Sequence, residues 1–329
     1  MDGADLWRPS CSVSVLRKRA RLLREIRSFF TSRDVLEVDT PALSTAGATD
    51  PHLMSFVTRY SGPAPAPGGE LFLHSSPEYP MKRLLAAGSG SIYQIAKVFR
   101  NGETGRHHNP EFTLLEWYRT GFDHYRLMDE VADLMMELLP DREFALNERV
   151  TYHEAFRRYL DIDIHRATVL DLANCAMAHG VSAPFGMTMD DPDPWLDLLL
   201  THRIQPKLGA NRLTFLYDYP VSQAALARVR DDTPAVGERF ELYLDGIELA
   251  NGFHELGDAN EQRGRFVGDN QARRARELPA IPLDERLLAA LAAGLPECAG
   301  VALGLDRLLM IAVGADSLDK VLAFPFDRA

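Results

Sequence analysis

Three separated segments of the 329-residue chain carry side chains suited to binding a charged, planar ligand. The first is Val98–Tyr118, which places Arg100 at the end of an expected strand and Phe112 on the strand that returns after a polar loop. A guanidinium group offers a planar fork of donors that matches a phosphate, and an aromatic ring offers a flat surface for a base. Taken alone, such a pair is usually part of an ordinary charged hairpin.

The second segment, Phe240–Leu256, holds two carboxylates, Glu248 and Glu255, with little other charge between them. On strands that flank a bend, two carboxylates can converge on a divalent metal ion bound to phosphates, or they can hold an ammonium group. Two solvated glutamates are the simpler interpretation. The apolar neighbours Ile247 and Leu249 favour a buried setting, where an unpaired carboxylate is costly.

The third segment, Gly300–Met310, places Arg307 in the first turn of an expected helix. The helix dipole favours anions at that end. A cation there indicates a partner, either Asp306 beside it or a bound phosphate.

The elements that must position these side chains are antiparallel strands with helices packed on one side, an α+β arrangement. The apolar periodicity predicts helices over 14–33, 78–88, 125–139, 259–278, 283–293 and 305–312. It predicts strands over 71–74, 91–100, 111–120, 240–253 and 300–304, with a Pro/Gly loop over 61–69. The strands within 240–253 are expected to hinge at Asp245-Gly246, a favoured turn pair. Residues 141–235 carry no obvious chemistry and are interpreted as an insertion or a peripheral lobe.

Composition narrows the class of function. The net charge of -11 argues against strong tRNA or DNA binding, which usually needs a basic surface. There is no GxxxxGK[ST] sequence and no βαβ rhythm, so a P-loop or Rossmann site is not expected. The three cysteines are widely spaced and predict free thiols in a reducing compartment. With no signal peptide and no long apolar run, we expect a cytoplasmic protein without a membrane segment.

Jointly, these segments resemble the class II aminoacyl-tRNA synthetases. The stretch FFTSRDVLEVDTPALS resembles motif 1, FRNGETGRHHNPEF resembles motif 2, and GLDRLLM resembles motif 3. SSPEY, NPEFTLLEWY and ELANGFHEL are more closely similar to lysyl-tRNA synthetase. The resemblance covers nearly the whole chain except about 141–235. It implies a single class II synthetase-like catalytic domain over 1–329, with an antiparallel sheet flanked by helices and a homodimer formed through motif 1.

The resemblance also implies roles for matching residues, with ATP and Mg²⁺ as cofactors. The residues expected to bind ATP are Arg100, Asn101, Gly102, Asn109, Phe112, Glu248, Leu249, Gly304 and Arg307. The residues expected to bind a lysine-like substrate are Ser76, Pro77, Glu78, Glu116, Tyr118, Asn251, Glu255 and Ala302. Among these, Arg100, Glu248 and Arg307 would be catalytic, and Glu248 and Glu255 would hold the metal. Phe112 and Arg307 would sandwich the adenine, and Glu255 and Tyr118 would take the side-chain ammonium.

Two departures from lysyl-tRNA synthetase refine the expected substrate. The chain leaves no room for an anticodon-binding barrel before motif 1, and Ala302 stands where the family has glycine. Both features resemble the lysyl-tRNA synthetase paralogues that lysylate elongation factor P. The expected reaction is ATP-dependent activation of (R)-β-lysine, or of lysine, and transfer to a lysine ε-amino group of elongation factor P. Ser76 and Ala302 are the candidates for telling a β-amino from an α-amino group.

Two alternatives remain open. A lysine-activating enzyme with a tRNA or small-amine acceptor would share every ATP residue. A non-catalytic regulatory paralogue would be marked by loss of Arg100, Glu248 or Arg307, and all three are present. One further departure concerns ATP: Gly102 replaces a family glutamate, with Glu103 next to it, so a contact near the adenine is expected to be lost or shifted by one residue.

Overall fold

The computed structural model describes residues 7–63 and 69–329, so part of the expected loop over 61–69 lies outside the described residues. The chain forms two compact units. Unit 1 comprises Met1–Gly121, Glu137–Leu139 and Gly257–Ala329, and unit 2 comprises Phe122–Met136 and Pro140–Leu256. In the described part of the chain, no helix is both long enough and apolar enough to cross a membrane.

Unit 1 contains a mixed sheet with strand order β1-β5-β6-β12 and a small sheet with order β2-β4-β3. Its strands are β1 Leu36–Glu37, β2 Leu43–Ser44, β3 Val57–Arg59, β4 Glu70–Leu73, β5 Ile92–Phe99, β6 Glu111–Thr120 and β12 Cys298–Gly304. Its helices are α1 Val13–Thr31, α2 Glu78–Ala86, α7 Ala259–Ala275, α8 Glu285–Gly294 and α9 Leu305–Ala312. The β5–β6 and β6–β12 pairs are antiparallel, and β1 pairs parallel with β5.

Helix α1 covers one face of the larger unit 1 sheet. Ser12 caps its first turn by accepting from the Val15 backbone N–H. The apolar stripe predicted from the sequence is buried, and Phe30 stacks on Tyr93 with ring centroids 4.4 Å apart and meets the edge of Trp117 at 5.4 Å. We call this side of the sheet the back face. Its aromatic core leaves the opposite side, the front face, available for a site.

Unit 2 contains strands in the order β11-β10-β8-β7, with β9 beside β10. The strands are β7 Glu148–Thr151, β8 Thr214–Pro220, β9 Val229–Arg230, β10 Val236–Leu244 and β11 Ile247–His254. The helices are α3 His124–Leu138, whose last two residues belong to unit 1, α4 Tyr152–Leu160, α5 Val169–Ala178 and α6 Asp193–Leu199. A tight turn at Asp245-Gly246, both with positive φ, joins β10 to β11, as the sequence predicted.

The segment 141–235, interpreted from the sequence as a peripheral insertion, supplies strands to the unit 2 sheet. β8 pairs antiparallel with β10, and β7 pairs parallel with β8. Helices α4 and α5 begin with capping boxes, at Thr151/Glu154 and Thr168/Asp171. The α+β class and the antiparallel character of the central strands are confirmed, while the division into domains stays a prediction.

Candidate functional site

The front face of the unit 1 sheet gathers most of the residues expected to bind substrate. Side chains alternate along a strand, so Phe112, Glu116 and Tyr118 on β6 share this face. Glu116 lies directly opposite Gln94 on β5 and Ala302 on β12. Directly opposed Cβ atoms in an antiparallel pair lie about 4.5–5.5 Å apart. The methyl group of Ala302 is therefore a close neighbour of the Glu116 side chain.

Glu116 is a buried carboxylate held by two hydroxyl donors. Ser76 Oγ donates to its Oε2 at 2.6 Å, and Tyr118 OH donates to its Oε1 at 2.8 Å. The residue is 2% exposed. Ser76 in turn accepts from the backbone N–H of Glu78, so the loop before α2 is tied to β6. This arrangement fixes a negative charge on the front face, where it can receive an ammonium group.

Glu78, the first residue of α2, carries a second carboxylate of the expected substrate pocket. Its Oε1 lies 2.6 Å from Nζ of Lys82, one turn later, and Lys82 is almost completely buried. Pro77 forms the N-terminal cap position of α2. The ion pair holds the Glu78 side chain in place. Because Lys82 already neutralises the Glu78 carboxylate, that carboxylate attracts a substrate ammonium group less strongly.

Arg100 follows the last residue of β5 and lies over the Phe112 ring, with its guanidinium carbon 5.0 Å from the centroid. Nη1 is 3.7 Å from Oε1 of Glu103. Nε is buried and has no hydrogen-bond partner among residues 7–63 and 69–329. Glu103 thus takes up a position beside Arg100. Gly102 sits in the intervening turn with φ of +85°, a conformation that a side chain rarely adopts.

Arg307 in α9 reaches back to the loop between β5 and β6. Its Nε donates to the carbonyl oxygen of His107 at 3.1 Å, and Nη2 lies 2.8 Å from Nε2 of His108. Burial, together with the positive charge of Arg307, lowers the pKa of His108. The neutral ring can therefore accept from the guanidinium group at neutral pH. The expected sandwich of a base between Phe112 and Arg307 stays a prediction.

Asn109 and Asn101 anchor the same loop. The Asn109 amide nitrogen donates to the carbonyl oxygen of Glu111 at 2.6 Å, and its Oδ1 accepts from the backbone N–H of Phe326 near the C-terminus. The backbone N–H of Asn101 donates to the carbonyl oxygen of Met54. Both groups of the Asn109 side-chain amide are therefore engaged within the protein, and the expected contact of Asn109 with ATP stays a prediction.

In unit 2, the β10–β11 hairpin places Glu241 and Glu248 on one face. Tyr243 lies opposite Glu248, and its hydroxyl donates to Glu241. A bulge in the register between Leu242 and Tyr243 leaves Leu249 as an extra residue on β11. Because of that bulge, Asn251, opposite Glu241, shares the face of Glu248. Leu249 itself is buried.

The bend expected between Glu248 and Glu255 is not present: Glu248 lies on β11, and Glu255 directly follows the last residue of that strand, His254. A metal site shared by the two carboxylates stays a prediction. Across the hairpin, Tyr243 lies directly opposite Glu248, and Glu241, two residues earlier on β10, shares its face.

Arg239 organises this hairpin face. Its Nη2 donates to Glu241 Oε1 at 2.5 Å, its Nε donates to Asn251 Oδ1 at 3.2 Å, and its Nη1 donates to the carbonyl oxygen of Gln223. The charges of Glu241 and then Glu248 raise the pKa of Arg239 against the opposing effect of burial. Glu255 follows β11 and is buried.

Comparison with known proteins shows the family of this chain. The family model for tRNA synthetases of class II (D, K and N) matches residues 4–328. The chain belongs to this family. It is 53% identical over 323 residues to proteins named elongation factor P–(R)-beta-lysine ligase from Salmonella paratyphi B, Salmonella schwarzengrund and Salmonella heidelberg. Each match covers 98% of this chain and 98% of the relative.

Within the class II synthetase framework, one buried network joins motifs 1, 2 and 3. Arg19 of α1 donates to Asp306 Oδ1 at 2.5 Å and to Thr113 Oγ1 at 2.7 Å, and the Thr113 N–H donates to Asp306 Oδ2. Thr113 adjoins Phe112, and Asp306 adjoins Arg307. The network therefore fixes two expected nucleotide-binding residues relative to each other, and Asp306 is bound by the back-face arginine rather than by its neighbour.

Four residues of this class II site were missed by the sequence reasoning: Arg19, Lys82, Arg239 and Glu241. Glu241 left a usable signal, because Asp245-Gly246 predicts a two-residue turn and a turn there fixes which residues face one another. The bulge that places Glu248 and Asn251 on one face left no signal in the sequence. Arg19 bonds residues far away in sequence, whereas Lys82 and Arg239 bond nearby residues but carry no motif that marks them.

Proposed function

We propose that this chain uses ATP to activate (R)-β-lysine as an aminoacyl-adenylate and transfers it to the ε-amino group of a lysine on elongation factor P. The observation that carries the proposal is similarity over 98% of the chain to relatives named for that ligase activity. The presence of Arg100, Glu248 and Arg307, the three residues expected to be catalytic, supports it. A non-catalytic paralogue would not need them.

In the activation step, a carboxylate oxygen of the amino acid attacks the α-phosphorus of ATP, and pyrophosphate leaves. No side chain has to act as a nucleophile, so the protein contributes position and charge. Arg100 would hold the α-phosphate and the substrate carboxylate, with its buried Nε as one available donor. Phe112 would stack on the adenine base, and Arg307 would supply a cation for stacking. Gly304, Asn101, Gly102, Asn109 and Leu249 would complete the nucleotide contacts.

Glu241 and Glu248 fit a magnesium ion. Both offer carboxylate oxygens, the hard donors that Mg²⁺ prefers, and the hairpin sets them on one face. When bound, Mg²⁺ would neutralise phosphate charge. In this assignment Glu241 replaces Glu255 as the partner of Glu248, and Arg239 and Tyr243 hold Glu241 in position.

Glu255 is then left for the amino acid, together with Asn251, which Arg239 orients. That Glu255 and Tyr118 take the side-chain ammonium stays a prediction from the resemblance. In unit 1, we assign an ammonium group of the substrate to Glu116, with Ser76, Pro77 and Glu78 shaping the neighbourhood. In the transfer step, a neutral lysine amine of the acceptor attacks the acyl carbon, an amide bond forms and AMP leaves. That amine must first lose the proton it carries at neutral pH.

The activation half of the proposal is tested by ATP–pyrophosphate exchange with the purified chain. Exchange should depend on added (R)-β-lysine and exceed that with α-lysine. A chain that exchanges only with another amino acid would contradict the substrate assignment, and a chain that exchanges with none would contradict the enzyme assignment.

Ala302→Gly is expected to raise kcat/KM for α-lysine relative to (R)-β-lysine by about 10-fold or more. Its methyl group faces Glu116, and one methylene-sized group in a close pocket changes discrimination by about 1–3 kcal/mol. Exchange kinetics with both amino acids measure the ratio. Ala299→Gly is the matched control, because Ala299 lies on the same strand but on the back face. An equal change of the ratio in both variants, or no change in either, would contradict the role of Ala302.

We also propose a cytoplasmic homodimer. Cys11, Cys175 and Cys298 are free thiols, which suits a reducing compartment. In unit 1, the short edge strand β1 of motif 1 leaves Leu36 55% exposed. Unpaired edge strands with apolar side chains favour association. Sedimentation equilibrium should give twice the chain mass of 36.8 kDa.

A further inference from the structure

Two histidines and a glutamate, none of them assigned to a substrate, converge inside unit 2. His124 begins α3, Glu238 lies on β10 and His254 ends β11. One potential ligand atom from each lies within 4.8 Å of the others, and all three residues are buried. Nδ1 of His254 and Oε2 of Glu238 are 2.6 Å apart.

The described surroundings of His124 do not explain why a polar residue occupies this position. Its side chain is fully buried, and neither ring nitrogen has a hydrogen-bond partner in the described portion of the chain. Burial lowers its pKa to about 4, so the ring is neutral at neutral pH and keeps a lone pair available for a ligand. A buried polar group without a partner costs stability, and an occupant would remove that cost.

Asp218 on β8 adds a fourth donor. Its Oδ1 is 3.8 Å from Nε2 of His124 and is also buried without a hydrogen-bond partner among the described residues, while its Oδ2 accepts from Arg230 at 2.7 Å. Arg230 also contacts Glu238 at 3.3 Å and Asp232 at 2.8 Å. One guanidinium faces three carboxylates, which leaves two negative charges in this cluster.

We propose that His124, Asp218, Glu238 and His254 bind a divalent transition-metal ion, with Zn²⁺ the best match to the donors. Two imidazoles and two carboxylates supply four nitrogen and oxygen ligands that zinc accepts, and zinc is usually four-coordinate in structural sites. Tetrahedral ligands at 2.0–2.2 Å lie roughly 3.3–3.5 Å apart, so a bound ion would draw the most widely spaced donors together and replace the 2.6 Å contact between His254 Nδ1 and Glu238 Oε2. Arg230, bonded to both carboxylates, orients them from outside, as outer groups do in metal sites.

The site joins the start of α3 to β8, β10 and β11. A bound ion would therefore fix the end of β11 immediately before Glu255. This role is structural and does not depend on the proposed function. Loss of the ion is expected to destabilise unit 2.

The test uses the full chain, treated with a chelator and then reconstituted with zinc sulfate alone. We expect one zinc per chain by elemental analysis, a higher melting temperature with zinc, and a tetrahedral visible spectrum when cobalt(II) replaces it. His124→Gln should weaken zinc affinity at least about 100-fold, more than the 10–100-fold typical of losing an outer group. His153→Gln is the matched control, since His153 forms a half-exposed pair with Asp163 in the same unit.

Wild-type chain that binds no stoichiometric zinc after reconstitution would overturn the proposal. Undiminished binding by both His124→Gln and Asp218→Asn would also overturn it. If His124→Gln does not fold, X-ray absorption of the zinc-loaded wild type decides, because two histidine nitrogens in the first shell support the site and their absence contradicts it. Pyrophosphate exchange is not the readout, so the result is independent of the substrate assignment.

Discussion

Arg100→Ala is expected to lower (R)-β-lysine-dependent pyrophosphate exchange by at least about 10³-fold, the loss associated with removing an arginine that stabilises a phosphoryl transition state. Arg100 sits over Phe112 with a buried Nε available as a donor. Because charge at the α-phosphate grows as the substrate carboxylate attacks, the loss should appear mainly in kcat. Exchange kinetics at saturating ATP measure it.

Two comparisons separate this role from a general loss of charge. Arg100→Lys keeps the charge but loses the planar fork, so its rate should fall between those of alanine and the wild type. Lys97→Ala removes an exposed cation paired with Glu111 on the back face of the same strand and should leave exchange unchanged. If Arg100→Ala exchanges at the wild-type rate with an unaltered melting temperature, Arg100 has no part in the reaction.

Glu241→Gln and Glu248→Gln should each slow exchange by about 10²–10³-fold and raise the Mg²⁺ concentration needed for half-maximal rate by about 10-fold or more. Their carboxylates share one face of the β10–β11 hairpin. Glutamine keeps the size of the side chain and removes its charge. A Mg²⁺ titration of exchange at fixed ATP measures both effects.

Glu255→Gln distinguishes this assignment from the one made on sequence alone. It should raise KM for (R)-β-lysine by about 10–100-fold, as expected for losing a hydrogen bond to a charged group, and leave the Mg²⁺ requirement unchanged. A higher Mg²⁺ requirement in Glu255→Gln, with none in Glu241→Gln, would restore Glu255 as the metal residue.

Local elements could be predicted from the sequence because their signals are local. The strands around the motif 2 loop, the tight turn at Asp245-Gly246 and the apolar stripe of α1 all follow from periodicity and turn chemistry. The sequence motifs predicted which residues bind the substrate. Among them, Ser76, Glu116 and Tyr118 are joined by hydrogen bonds on the front face.

Pairing between distant segments could not be predicted in this way. Parallel pairing of β7 with β8 joins residues more than sixty positions apart, so 141–235 looked like an insertion. The bend expected between Glu248 and Glu255 is replaced by a continuous strand with one bulge, which Glu255 follows. A bulge changes which side chains share a face, and nothing in the residue types marks it. The Arg19 network likewise depends on a helix packing across the sheet.

The most direct test of the central claim is the acceptor. Purified chain, ATP, Mg²⁺ and (R)-β-lysine are incubated with elongation factor P, or with tRNA, and each acceptor is analysed by intact mass. We predict a gain of one β-lysyl group on elongation factor P that resists mild alkaline deacylation, as an amide does, and no aminoacylation of tRNA. Charging of tRNA with no mass gain on elongation factor P would contradict the proposed function.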